Sequence, residues 1–231
     1  MLLLLTLLSQ NDMQLQGRAG LDLLVPMQWS FYQEGEDKAM VSGPLMGANG
    51  VLRSGPLGAK IAFFTGSYDH MSIQSDDSTT DLDSGTASRV DFQLEARYFV
   101  NDFYFGFNYG HHSERWQIPV IWPLDQQHDL NSFGLGLGFD FPGKKATLTP
   151  VLNASASFFN GVRTTKWGSI TDDVSGTGLA LFGTLGAVYH YKPLFLSGGI
   201  TGQALAGRFG DDEKASHSNF WALHFGIGGE F

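Results

Sequence analysis

The chain has 231 residues, enough for one domain, a formal net charge of −9 and no cysteine. The acidic balance excludes a nucleic-acid binder, which needs a basic surface, and the missing thiols exclude a disulfide framework or thiolate metal site. Thirty residues are glycine and 19 phenylalanine, the glycine share being close to twice the usual ~7%; mean hydropathy is only −0.08, and no run after residue 8 approaches the ~20 apolar residues of a membrane helix.

Residues 1–8 form an apolar run like the core of a secretory signal peptide, without a basic start or a clear small-x-small cleavage site. Residues 1–18 are therefore assigned to a signal-peptide remnant or disordered N-terminus, and 19–231 to a single domain. Strands are expected at 19–32, 40–53, 57–71, 88–100, 102–113, 129–141, 146–159, 178–191, 194–207 and 219–231. Short turns fall at 54–56, 101–102, 142–145 and 192–193. Longer polar loops fall at 33–39, 72–87, 114–128, 160–177 and 208–218.

A strand turns successive side chains to opposite faces. In 88–100, Val90, Phe92, Leu94, Ala96 and Tyr98 share one face, and Arg89, Asp91, Gln93, Glu95 and Arg97 the other. In 102–113 the apolar face is Phe103, Phe105, Phe107 and Tyr109; in 129–141 it is Phe133, Leu135, Leu137, Phe139 and Phe141. Charges of alternating sign on one strand face cannot sit in hydrocarbon, so they must line a polar lumen. The reading is all-β: a transmembrane antiparallel up-and-down barrel of about 10 strands, with short periplasmic turns and long extracellular loops. A soluble sandwich would instead bury the greasy face against a second sheet. Trp29, Tyr98, Phe103, Trp116, Trp221 and Phe231 lie near strand ends, where an aromatic girdle belongs.

An eight-stranded barrel is about filled by its own side chains, and open pores need sixteen or more strands. Ten strands lies near the closed end. Lys60, Arg89, Asp91, Glu95, Arg97, Asp140 and Glu230 are expected to form a salt-bridged lumen, with the inward glycines leaving at most a narrow polar passage.

The last strand runs from Trp221 to Phe231, with Trp221, Leu223, Phe225, Ile227 and Phe231 on its apolar face. Its terminal aromatic resembles the C-terminal signal of bacterial outer-membrane proteins. That resemblance implies an outer-membrane location, a bilayer and lipopolysaccharide as surroundings, and recognition by the assembly machinery through Phe225, Ile227 and Phe231.

His111 and Ser113 point outward by the parity of Phe103 to Tyr109, two residues apart on one face. An imidazole there could take the proton of a hydroxyl, oriented by a third group. If the strands pair as a hairpin, Asp129 or Asn131 lands near His111. The arrangement resembles two families of outer-membrane lipid hydrolases, the lipid A deacylases and the phospholipases. Both use a His-x-Ser pair on the barrel exterior, with Glu or with Asn and calcium. The match departs from them at Glu114-Arg115, where an Asn commonly follows the serine, and in strand number. His70-Met71-Ser72 is a second His-x-Ser.

The segment 116–124 is too apolar for a solvated loop, which suggests packing on the outer leaflet or in the barrel mouth, or a cover over a binding site. Asp76, Asp77, Asp81 and Asp83 give loop 72–87 an oxygen density that could hold calcium; otherwise no cofactor is implied. Asp69-His70 is the nearest match to the Asp-His couple of omptin proteases, ten-stranded barrels that also carry paired acids, but no second acidic pair stands at matching positions. The sequence thus implies a structural, surface-binding or narrow small-solute transport barrel, with lipid hydrolysis at Ser113 as the alternative.

Overall fold

The computed structural model describes residues 15–33, 38–68, 71–74, 79–82, 85–118, 124–140, 147–210 and 215–231. Among them are thirteen strands and no helix. They are β1 (Leu15–Gln33), β2 (Lys38–Val41), β3 (Leu45–Ser54), β4 (Leu57–Tyr68), β5 (Met71–Gln74), β6 (Thr79–Leu82), β7 (Thr86–Val100), β8 (Phe103–Ile118), β9 (Leu124–Asp140), β10 (Thr147–Trp167), β11 (Ile170–Tyr191), β12 (Leu194–Phe209) and β13 (Ser216–Glu230). In the wall β2 continues β3, β5 continues β4 and β6 continues β7, leaving ten antiparallel strands. The wall closes where β1 pairs with β13, from Arg18 opposite Glu230 to Gln33 opposite Ser216. Closure leaves no sheet edge in hydrocarbon among the described residues, which is what allows a sheet to span a bilayer.

The alternation read from the sequence is present around the wall. Leu21, Ile61, Leu94, Phe107, Leu135, Leu152, Leu185, Leu196 and Phe225 all face outward and are 42–71% exposed. This apolar belt ends toward the long strands near Tyr109 on β8, Phe133 on β9, Phe158 on β10, Leu179 on β11 and Trp221 on β13. At the other end lie the short turns after β3, β7 and β11, and both ends of the described chain. The Gly17 and Phe231 main chains exchange hydrogen bonds there at 2.9 and 3.0 Å. By the usual arrangement of outer-membrane barrels this end is periplasmic.

Several expectations need correction, among them loop 72–87, which holds β6 and most of β5. Loop 160–177 is mostly strand: β10 and β11 run past the belt to a turn at Gly168 and Ser169, roughly 25 Å of added ladder at ~3.3 Å per residue. Loop 114–128 is shortened likewise, because β8 continues to Ile118 and β9 begins at Leu124. β1 starts at Leu15, four residues before the expected start at 19, and Leu15 pairs with Ser54. Trp29 and Trp116 do not belong to the girdle: both are 0% exposed, inside the barrel. Tyr98, Trp221 and Phe231 remain outward, 54%, 47% and 67% exposed.

Trp29 faces inward because β1 carries an extra residue. Pro26 opposes Ala222 and Gln28 opposes Trp221, so Met27 is a bulge, and one inserted residue inverts the facing of everything after it. Trp116 faces inward because β8 never stops at Ser113. Its even-numbered positions stay on the lumen face through Trp116. Residues 119–123 of the apolar segment lie outside the described residues.

Candidate functional site

The β8–β9 register places His111 opposite Asn131 and Ser113 opposite Asp129. All four point outward just above Tyr109 and Phe133, at the upper rim of the belt. They form two separate rungs. Ser113 Oγ donates to Asp129 Oδ1 at 2.6 Å, and Gln127 Nε2 donates to Asp129 Oδ2 at 2.8 Å. Asn131 Oδ1 accepts from the Tyr109 hydroxyl at 2.9 Å and lies 3.1 Å from His111 Nδ1. An amide oxygen only accepts, so His111 Nδ1 carries the proton of that contact. No hydrogen bond joins His111 to Ser113 among the described residues, and the serine proton points to a carboxylate rather than to an imidazole. Further up the same face, Arg115 forms a two-pronged pair with Asp125, one contact being Nε to Oδ1 at 2.7 Å. The hydrogen bond from Arg115 holds the Asp125 carboxyl below its ordinary range.

The lumen holds a denser constellation. Glu114, 0% exposed, is its hub. Its Oε1 accepts the indole N–H of Trp29 at 2.7 Å and of Trp116 at 2.6 Å. Its Oε2 accepts the Ser218 hydroxyl at 2.8 Å and lies 2.9 Å from His112 Nε2. The other His112 nitrogen lies 2.6 Å from Asp91, which takes Arg89 Nε at 2.5 Å. Arg89 crosses to Gln203 on β12 and lies over the Phe220 ring, 4.3 Å from its centre. Trp29 meets Tyr68, Trp116 and Phe220 edge-on. Donors from β1, β8 and β13 thus converge on one carboxylate above the level of the belt. Burial alone would push the Glu114 carboxyl up; the hydrogen bond and charge of His112 outweigh this and hold it at about 2. His128, stacked on Phe209 with ring centres 5.1 Å apart, is pushed down to about 4 by burial.

The remaining lumen charges lie lower. Arg97 Nε bonds Glu95 at 2.7 Å, and Glu230 pairs with His190. Lys60 reaches over the Phe182 ring at 5.8 Å. Gly106 and Gly136 flank Glu95, and a Cβ on Gly136 would stand 2.5 Å from Glu95 Oε1, so a larger residue there would require the carboxylate to move. Asp140 ends β9, and its side chain lies outside the described residues. Between the upper and lower closures sit two contiguous chambers with about 60 and 90 Å³ of open space, both lined by Lys60, Gln93, Phe182 and Gln203. Such volumes can hold a few waters.

An imidazole with both nitrogens on carboxylates has none left to accept a proton, so His112 is no general base in this arrangement. Glu114 and Trp116 were missed as lumen residues because the sequence reading ended β8 at Ser113, Trp29 because of the Met27 bulge, and Ser218 because it fell in the expected loop 208–218; His112, inside the expected strand, was not singled out. Carrying the even-number parity three residues further would have found Glu114 and Trp116. Asp81 lies in β6 opposite Ser72, whereas Asp76, Asp77, Asp83, Asp69 and His70 lie outside the described residues. Among the described residues no three His, Cys, Asp or Glu side chains group as metal ligands.

No family model matches the chain, and no curated protein does. Solved structures do. The outer membrane protease OmpT of Escherichia coli superposes over 97% of this chain and 100% of its own, with a TM-score of 0.58 at 8% identity. The fold is that of a bacterial outer-membrane β-barrel. Ail, the attachment invasion locus protein of Yersinia pestis, is similar at TM-score 0.42 and 14% identity, over 93% of this chain and 99% of that one. Neisserial surface protein A gives 0.37 and 14%, over 94% and 97%. At such identities the likeness concerns the architecture of this barrel and not its chemistry.

Proposed function

We propose that this barrel is a sealed outer-membrane protein that works through the sheet it holds above the membrane, not by passing solutes. The observation that supports this most is the Glu114 hub, which ties β1, β8 and β13 together across the lumen with no group left to move aside cheaply. Lipopolysaccharide would surround the polar rungs above the belt, and the assembly machinery would read the outward Phe225, Ile227 and Phe231. Planar-bilayer recording tests the seal. The wild-type protein is expected to give no stable unitary conductance, and a steady open level at neutral pH overturns the reading.

Lipid hydrolysis at Ser113 is less well supported, because Ser113 bonds Asp129 and His111 bonds Asn131. Ser113→Ala is expected to leave the acyl chains of lipid A and phospholipid unchanged when outer-membrane lipids are compared by mass spectrometry. Loss of an acyl chain with wild type alone would restore the hydrolase.

A further inference from the structure

The β10–β11 hairpin is taller than its neighbour. β10 pairs with β11 out to Trp167 opposite Ile170, but β12 leaves β11 at Gly176 opposite Phe209. One more main-chain bond follows, from Gly210 N–H to the Ser175 carbonyl at 2.8 Å. Beyond it, among the described residues, no strand pairs with Ile170–Val174 on that side. Residues of an antiparallel strand direct N–H and C=O to the same side, alternately left and right. The Ser175 bond therefore fixes the parity: Asp173 and Thr171 aim their main-chain groups at the open edge. Unpaired edges invite an added strand and are usually blunted. This one bears Asp172 and Asp173 between an exposed Ile170, at 66%, and the half-buried Val174.

We propose that the open edge of β11, Ile170–Val174, is a docking site for an extended basic segment of another protein, which adds as an antiparallel strand outside the cell. The inference rests on the reading that the raised sheet is the working surface. Two features favour this occupant. Main-chain bonds to Thr171 and Asp173 would give affinity, as in other strand additions. Directly opposed side chains lie ~4.5–5.5 Å apart, so consecutive lysines or arginines would face Asp172 and Asp173, flanked by apolar residues opposite Val174 and Ile170. A second copy fits poorly: antiparallel self-pairing centred on this edge sets Asp172 against Asp172 or Asp173, and directly opposed like charges are destabilising.

The test uses the full-length barrel in detergent micelles and a capped peptide carrying the run valine-lysine-lysine-threonine-valine. Saturable binding is expected by calorimetry. N-methylation of the two peptide residues opposite Thr171 and Asp173 should weaken it at least tenfold. Thr171→Pro should do the same while leaving the heat-modifiable gel shift intact, because the lost N–H faces the open side, where edge proline is tolerated. Equal binding of the N-methylated peptide would reduce the site to charge attraction and overturn the proposal. Unchanged binding by Thr171→Pro, or no saturable binding at millimolar peptide, would overturn it too. So would a concentration-dependent dimer abolished by Thr171→Pro, which would make a second copy the occupant. The seal is judged separately: a conducting barrel that still binds the peptide refutes the sealed reading and leaves the edge site standing.

Discussion

Glu114→Ala is expected to destabilise the barrel by about 3–5 kcal/mol, the usual penalty for removing one partner of a buried, hydrogen-bonded charge pair. The wild-type carboxylate accepts from two indoles and a hydroxyl and contacts the His112 ring. Alanine leaves those groups buried with nothing to meet, and each unsatisfied buried donor costs about 1–3 kcal/mol. The measurement is the temperature at which the compact gel band gives way to the unfolded one. Glu114→Gln keeps an oxygen for the two indoles and should fall between wild type and alanine. Equal transition temperatures for wild type and Glu114→Ala would show that the hub is not holding the upper lumen.

Leu135→Arg should cost about 2–4 kcal/mol, the range for a cation placed at the bilayer midplane on the lipid face of a barrel. Leu135 is 71% exposed at the middle of the β9 belt, so a soluble protein would tolerate arginine there with little change. Thr177→Arg, also outward but just above Leu179, should cost only about 0–1 kcal/mol, as near the interface. Folding yields into phospholipid vesicles across a urea series separate the two. Equal effects at both positions would deny the belt its hydrocarbon surroundings.

The lipid-facing half of this molecule was legible because hydrocarbon imposes a strict rule on every second residue. Phe103 to Tyr109 and Phe133 to Phe139 follow it without exception. Above the belt the rule lapses, since both faces of a wet sheet admit polar residues. There β8 and β10 were cut short at Glu114 and Asn160, although their ladders continue to Ile118 and Trp167. The Met27 bulge was invisible for another reason: an inserted residue shows only in the register with its partner strand, and Trp29 consequently read as an outward girdle residue. The outward site was half legible. Parity placed His111, Ser113, Asp129 and Asn131 on one face, but which acceptor each side chain chooses is set by register, which pairs serine with aspartate and histidine with asparagine.

The Glu114 hub also bears on how the wall is completed. Trp29 comes from the first strand, Ser218 from the last, and Glu114 itself from the middle of the chain. No partly threaded sheet can bring these three together, because Trp29 and Ser218 become neighbours only across the β1–β13 seam. Until that seam forms, Trp29 and Ser218 cannot both reach Glu114, whereas Trp116, two residues away on β8, needs no seam to do so. The full set of bonds to Glu114 is therefore a property of the closed ring alone: a barrel zipped in another β1–β13 register would part Trp29 from Ser218 and leave the hub incomplete.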